Sequence, residues 1–451
     1  MADLTFVFAE LPESSELSGS FHNIFPTTMK HLFLVVSFFC MSETIIAQSN
    51  LSQRLFDAHE LFKEKSVSVR REFKHRHLVP LIERLKTSPN FAVSEAGKSF
   101  EGRSIYQIKY GKGAPPVLLW SQMHGDEATA TMALLDIFNF LNASGDGFDD
   151  LRKKLLEKST LYFVPMLNPD GVERWQRRTA QEIDMNRDAV RLQCPESKLL
   201  KNLQQTLKPL VGFNLHDQSP RYSVGNTKEV AAISFLATAY NEERTINSVR
   251  ERAMQLIVGM NRDLQKYIPN QVARYSDEFE PRAFGDNIAK WGTSLVLIES
   301  GGYKNDPEKQ YLRKMNFIAI LTALEAIADG TYTRQNRNDY EKIPQNEKNH
   351  FDLIIRNART ELNGVSYTVD VAINRNEANN ADATGFIYRS SVEDFGDLSV
   401  FYGIEEIDAQ GAQLLDPKSG KPVVLKLGDR ANFELRSDKK NWKVDNGFLK
   451  N

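Results

Sequence analysis

Apolar and polar residues divide this chain into stretches of different rhythm. From Leu51 to Lys65 and from His77 to Thr87, apolar residues (Leu55, Phe56, Leu61, Phe62; Leu78, Leu81, Ile82, Leu85) recur at helical spacing among charged ones, which predicts two amphipathic helices. The period changes at Phe91. Phe91–Ser94 and Arg103–Tyr110 alternate apolar with polar residues, and continuous apolar runs follow at Pro116–Trp120, Thr160–Leu167, Pro209–Leu215 and Gly292–Ile298. Helical stretches lie between several of them, beginning at Glu127 and covering Glu242–Tyr267 and Glu308–Ala328. Strands apolar on both faces, alternating with helices, predict an α/β fold with a mixed, mostly parallel central sheet and helices on both of its faces. After Gly330 the chain turns polar. Residues 331–350 read as a linker, and short alternating runs at Phe351–Arg356, Tyr367–Ile373, Leu398–Tyr402, Pro422–Leu427 and Ala431–Leu435 predict a small all-β domain over 351–451.

In α/β folds the functional residues lie just beyond the carboxyl ends of the strands. Each long apolar run here is followed at once by residues able to do chemistry: His124 and Glu127 after the first, Asn168-Pro-Asp-Gly171 after the second, His216 after the third and Glu299 after the fourth. A single shared site is the economical explanation. His124 and Glu127, three residues apart where a strand gives way to a helix, have a metal-ligand spacing. Zinc takes imidazole nitrogen and carboxylate oxygen, and a catalytic zinc needs three protein ligands, so a third must come from elsewhere. Alone, the pair is weak evidence and is better read as an ordinary helix start with an acid at the positive end of its dipole. His216 alone fits a satisfied core histidine; the four coinciding strand ends favour the shared site. The turn-rich loop Asn168–Asp188 also carries four arginines, the side chain suited to bidentate capture of a carboxylate. A substrate with a free carboxylate is expected.

H-G-D-E, N-P-D-G, D-M-N-R-D, L-H-D and I-E-S-G, in that order, make residues 90 to 330 resemble the zinc carboxypeptidases of the M14 (carboxypeptidase A-like) family. The resemblance implies that His124, Glu127 and His216 hold one Zn2+ per chain and that Glu299 is the catalytic carboxylate. It implies Asn186 and Arg187 as the grip on a substrate's terminal carboxylate. It further implies Arg177 as the oxyanion partner, with Arg178 as a near-equal alternative, and Asp184 as the acid that orients His124. The family's capping tyrosine has no clear counterpart, and Tyr275 is the nearest. Asp286, in Phe284-Gly-Asp-Asn287, either selects a basic side chain or caps a helix. The resulting expectation is a peptide exopeptidase. A muropeptide carboxypeptidase or amidase would use the same grip, and so would a non-catalytic protein that binds C-terminal carboxylates, although Glu299 beside a full ligand set argues against the last.

Charge and the chain's start add three expectations. Acidic and basic residues nearly cancel, to a net charge of −2, which gives no basis for steering toward nucleic acid. The cluster Arg70–His77 reads as a solvated helix face. Met29-Lys30-His31, the apolar Leu32–Met41 and the small-residue end near Ala47 read as a signal peptide over residues 29–48, after a leader over 1–28, with a helical lead-in over 49–90 and the catalytic domain over 91–330. The protein is therefore expected to be exported to the periplasm or beyond the cell, without a stable membrane anchor. Of the two cysteines, Cys40 leaves with that signal, so Cys194 has no disulfide partner.

Overall fold

The computed structural model describes residues 51–67, 71–381, 385–438 and 441–450. The expected leader over 1–28 and the expected signal peptide over 29–48 lie outside the described residues. Ser52–Asn451 form one compact unit.

The two amphipathic patterns at the start form α1 (Leu51–Phe62) and α2 (His75–Lys86). After them run β1 (Phe91–Lys98), β2 (Ser104–Gly111), β3 (Pro116–Ser121), α3 (Thr129–Asn142), α4 (Asp149–Lys158) and β4 (Thr160–Val164). The chain continues through α5 (Pro169–Arg174), α6 (Pro195–Leu207), β5 (Val211–Asp217), β6 (Ser223–Val224), β7 (Ile233–Ala237) and α7 (Ser248–Leu264). It closes the body with β8 (Val272–Arg274), α8 (Phe284–Lys290), β9 (Ser294–Ser300) and α9 (Gln310–Asp329). Eight strands form one mixed sheet in the order β1-β2-β4-β3-β5-β9-β7-β8. The centre, β4-β3-β5-β9, is parallel, and β1-β2, β2-β4 and β7-β9 pair antiparallel.

Strand alternation explains the two helical layers. Leu118 and Trp120 of β3 face α6 and α8, packing with Leu199, Leu200, Phe284 and Ile288. On the opposite face Phe163 of β4 meets Phe138 of α3 edge-on, with ring centroids 5.1 Å apart. Burying each such side chain contributes about 1.5–3 kcal/mol, and a central strand buried on both faces collects this from every residue. The cluster expected as a solvated face is instead half sunk. Phe73 and Lys74 are buried, and the Lys74 ammonium donates to the Val172 carbonyl at 3.2 Å and the Glu173 carbonyl at 2.9 Å. Interleaved charge looked like solvation, but the carbonyls at the end of α5 supply a buried cation with acceptors.

Residues 331–350 pack onto the body. Tyr340 is buried with its hydroxyl accepting the Ala237 N–H at 3.0 Å, and β10 (Asn346–Glu347) pairs with β6. Beyond them a second sheet contains β11 (His350–Leu362), β12 (Val365–Asn379), β13 (Phe386–Gly396), β14 (Tyr402–Asp408), β15 (Gln413–Leu415), β16 (Phe433–Arg436), β17 (Asn441–Asp445) and β18 (Phe448–Lys450). Its core gathers Leu353, Val371, Val392, Leu414, Phe433 and Leu435. Two expected strands are corrected: Leu398–Phe401 is a turn that buries Leu398, and Pro422–Leu427 is irregular apart from a bridge at Pro422. Among the described residues no helix is long and apolar enough to cross a membrane.

Candidate metal centre

Three strand ends and one loop converge at the carboxyl edge of the parallel centre. His124 follows β3, and Glu127 sits in the turn before α3, its N–H donating to the His124 carbonyl at 3.3 Å. Glu127 thus stands two residues ahead of the helix rather than in its first turn. His216 and Glu299 close β5 and β9 as register partners. The loops are held by close backbone approach. A side chain on Gly125 would put its Cβ 2.1 Å from the Gly171 carbonyl carbon, so H-G-D-E and N-P-D-G nest only with glycine there. Asn168 ties them, its Oδ1 accepting the Gly171 N–H at 3.0 Å while its Nδ2 donates to the Met123 carbonyl at 3.2 Å. Asp170 is not a site residue: buried, it binds Ser99, the Glu101 N–H and Arg103, closing the β1–β2 turn.

The donor atoms of His124, Glu127 and His216 all lie within 4.8 Å of one another, and all three residues are buried. His124 Nδ1 is 3.2 Å from His216 Nδ1, and Glu127 spans the pair with its two oxygens at 2.8 and 2.7 Å. Zinc–ligand bonds of about 2.0–2.2 Å in a tetrahedron put neighbouring donors roughly 3.3 Å apart. Two facing imidazole nitrogens and a carboxylate at these separations fit such an ion. The opposite nitrogen of His124, Nε2, lies 3.2 Å from Asp184 Oδ1, which fixes its ring; His216 Nε2 has no protein partner among the described residues.

Charge is concentrated here. Burial works against charging His124, but Glu127 and Asp184 outweigh it and hold the imidazole above its ordinary range. Burial alone would raise Glu127, yet the two imidazoles hold it well below the usual carboxylate range. Glu299 behaves oppositely: burial, then the carboxylates of Glu127 and Asp217, push it well above. Its Oε2 has no protein partner among the described residues.

The arginine loop separates the two candidates. Arg177 Nη1 lies 3.0 Å from His124 Nδ1 and 3.4 Å from Glu127, while its Nε donates to Asp184 at 3.0 Å. Arg178 donates to the Glu182 carbonyl at 2.8 Å, so it closes its own loop and, of the two, Arg177 is at the centre. Asn186 Oδ1 accepts the Phe284 N–H at 2.9 Å, which leaves its amide donors as the free chemistry. Arg187 is half-exposed and held by Glu280 Oε2 at 3.1 Å. Asp286 is buried and its Oδ1 accepts the Glu280 N–H at 3.1 Å, fixing the loop that presents Glu280. The Tyr275 phenol is pushed up by burial first, then by the charge of Glu299 and by Tyr222. Tyr222, 6.1 Å away ring to ring, had no signal in the sequence. Lys309 had none either; its buried ammonium lies 3.2 Å from Asp217 and donates to the Ser300 carbonyl at 2.8 Å.

Parts of the chain are similar to known proteins. Residues 79–202 match the family model of the zinc carboxypeptidases, peptidase M14, a span that holds His124 and Glu127. The chain is 28% identical over 155 residues to probable carboxypeptidase 2 of Arthroderma benhamiae, covering 34% of this chain and 27% of that protein. It is 31% identical over 123 residues to carboxypeptidase D of Drosophila melanogaster, covering 23% of this chain and 9% of that one. The carboxypeptidase A of Helicoverpa armigera is similar in structure at a TM-score of 0.46 and 17% identity, over 62% of this chain and 80% of that chain. The match thus spans about a quarter of the fungal relative's length. This chain carries a zinc carboxypeptidase domain of the peptidase M14 family.

Proposed function

We propose that the chain is a zinc-dependent exopeptidase that hydrolyses the C-terminal peptide bond of peptides. The observation that carries this reading is the convergence of His124, Glu127 and His216 within 4.8 Å at a strand edge shared with Glu299 and reached by Arg177. His124, Glu127 and His216 would hold the ion. Zinc, when bound, supplies an acidified water and a Lewis acid for the scissile carbonyl. Every other role falls to the chain. Glu299, placed among buried carboxylates, takes a proton from the attacking water and returns it to the departing amine. The Arg177 guanidinium meets the negative charge growing on the carbonyl oxygen, a contribution of about 3 kcal/mol. Arg187 and the amide of Asn186 grip the terminal carboxylate, which an internal peptide bond does not offer, and Tyr275 covers the bound residue. Asp184 keeps His124 in the tautomer that leaves Nδ1 free. Residues 29–48 are read as the export signal that would bring the enzyme to peptides outside the cytoplasm.

The test is release of amino acids from a mixed peptide pool, read by mass spectrometry with and without zinc. Stepwise trimming from the C-terminus is expected, with Glu299→Gln binding zinc but losing about 10²–10⁴ in kcat. A chain that binds no zinc, or trims equally well as Glu299→Gln, would overturn the reading.

A further inference from the structure

A cavity of about 740 Å³ reaches one of the three candidate metal ligands, Glu127, with Asp217 also lining it. Its outer end is built by the C-terminal sheet, chiefly Arg375, Glu377 and Ala378 of β12 with Tyr388 of β13. The wall is fixed to the body from several sides. Arg221 pairs with Asp352 at 2.7 Å and with Asn376 at 2.9 Å, and the buried Arg71 pairs with Glu377. Trp175 packs on Phe386 with ring centroids 4.8 Å apart, and Asn379 donates to the Arg174 carbonyl. Both sides of these contacts belong to one compact unit, so the sheet is positioned as firmly as the arginine loop it touches.

The side on which the cavity lies decides what it would hold. Asn186, Arg187, Phe284 and Asp286 do not border it, whereas the ligand Glu127 does. If the terminal carboxylate of a peptide is gripped by Asn186 and Arg187, the residues on the amino side of the scissile bond must leave past the ion in the other direction, into this cavity. Its volume is in the range of about 300–1,000 Å³ that encloses a small ligand, so it takes a few residues of extended chain and no folded domain. Most of the residues that line it are charged or hydrogen-bonding, which suits peptide backbone and polar side chains, with carbon surface from Trp175, Ile404 and Phe448 between them.

We propose that the C-terminal sheet is the outer wall of the substrate cleft, and that β12 binds the peptide upstream of the scissile bond, restricting the enzyme to short or unstructured polar tails. This rests on the exopeptidase reading of the metal centre. The experiment compares an N-acyl dipeptide with a polar N-acyl hexapeptide ending in the same two residues, on the zinc-loaded full chain and on Ala378→Trp, which fills the wall; Ala378→Leu is the milder variant should tryptophan lower the melting temperature. In parallel, binding of the fluorescein-labelled hexapeptide is followed by anisotropy in the Glu299→Gln background, with and without each wall variant. The unaltered chain should turn over the hexapeptide with at least 10-fold higher kcat/KM than the dipeptide. Ala378→Trp should remove that advantage, leave the dipeptide within 2-fold and weaken hexapeptide binding by at least 10-fold. Equal kcat/KM for the two peptides, or binding indifferent to both wall variants, overturns the proposal. A chain that releases nothing from either peptide counts against the exopeptidase reading alone, and the anisotropy result then decides for or against the wall.

Discussion

At the scale of single residues, adjacent arginines have opposite fates. Arg177 reaches His124, Glu127 and Asp184, and Arg178 is spent on the Glu182 carbonyl. Arg177→Ala should therefore lower kcat by about 10²–10³ with little change in KM, as loss of an oxyanion partner does, while Arg178→Ala should stay within roughly 2-fold. Steady-state kinetics on one peptide separates them; equal losses would mean that the loop rearranges on binding. A second residue-scale prediction concerns Asp286. Burial pushes its carboxyl up to about 7, against about 3.9 in an unfolded chain. A raised acid contributes stability that is complete below its unfolded value and is lost as pH rises through its folded value. Asp286→Asn keeps an oxygen for the Glu280 N–H but cannot titrate. Between pH 4 and 8 the unaltered chain should lose stability relative to this variant, by at most about 1.4 kcal/mol per pH unit. A difference in denaturation midpoint independent of pH would show that Asp286 is charged throughout.

Elements are positioned by how closely their backbones approach, and two glycines test this in opposite directions. Gly125→Ala must push the H-G-D-E turn off Gly171 and with it His124, so zinc affinity should fall by roughly 10–100-fold, as when a ligand's orientation is disturbed. Gly259, inside α7, would meet only Gln335 at 3.9 Å; Gly259→Ala should stabilise by about 0.5–1 kcal/mol. Zinc titration and urea unfolding read the two effects. The same elements show what a sequence reveals. The strands of the parallel centre were legible because burial on both faces demands unbroken apolar runs, and the proximity of His124, Glu127, His216 and Glu299 followed from their places at the strand ends. The second sheet was less legible. β13 and β14 carry Arg389, Glu393, Glu405 and Glu406 on exposed positions, so alternation is blurred, whereas Leu398–Tyr402 is apolar because one buried side chain plugs a turn. Tyr222 and Lys309 were invisible, since only tertiary packing brings them to the centre.

At the scale of the whole molecule, α1 is held to the body by buried charge. Asp136 of α3 accepts from Arg313 of α9, from His59 of α1 at 2.9 Å and from the Glu64 N–H at 2.7 Å, and Asp136 and Arg313 are both fully buried. The Arg313 guanidinium also donates to the Glu64 carbonyl at 3.2 Å. One carboxylate thus closes loops between segments far apart in sequence, and removing it leaves a guanidinium with no counter-charge in a dry core. Asp136→Asn should destabilise by about 3–5 kcal/mol, as removal of one partner from a buried pair does. Arg313→Met should do likewise, since it strands the carboxylate. The double variant should cost well under the sum of the two, because neither charge is then left uncompensated. Chemical denaturation of the four proteins measures the coupling. Additive losses would mean that the ion pair contributes packing only, and that α1 is held by its aromatic contacts, Phe62 with Phe140 and Phe317.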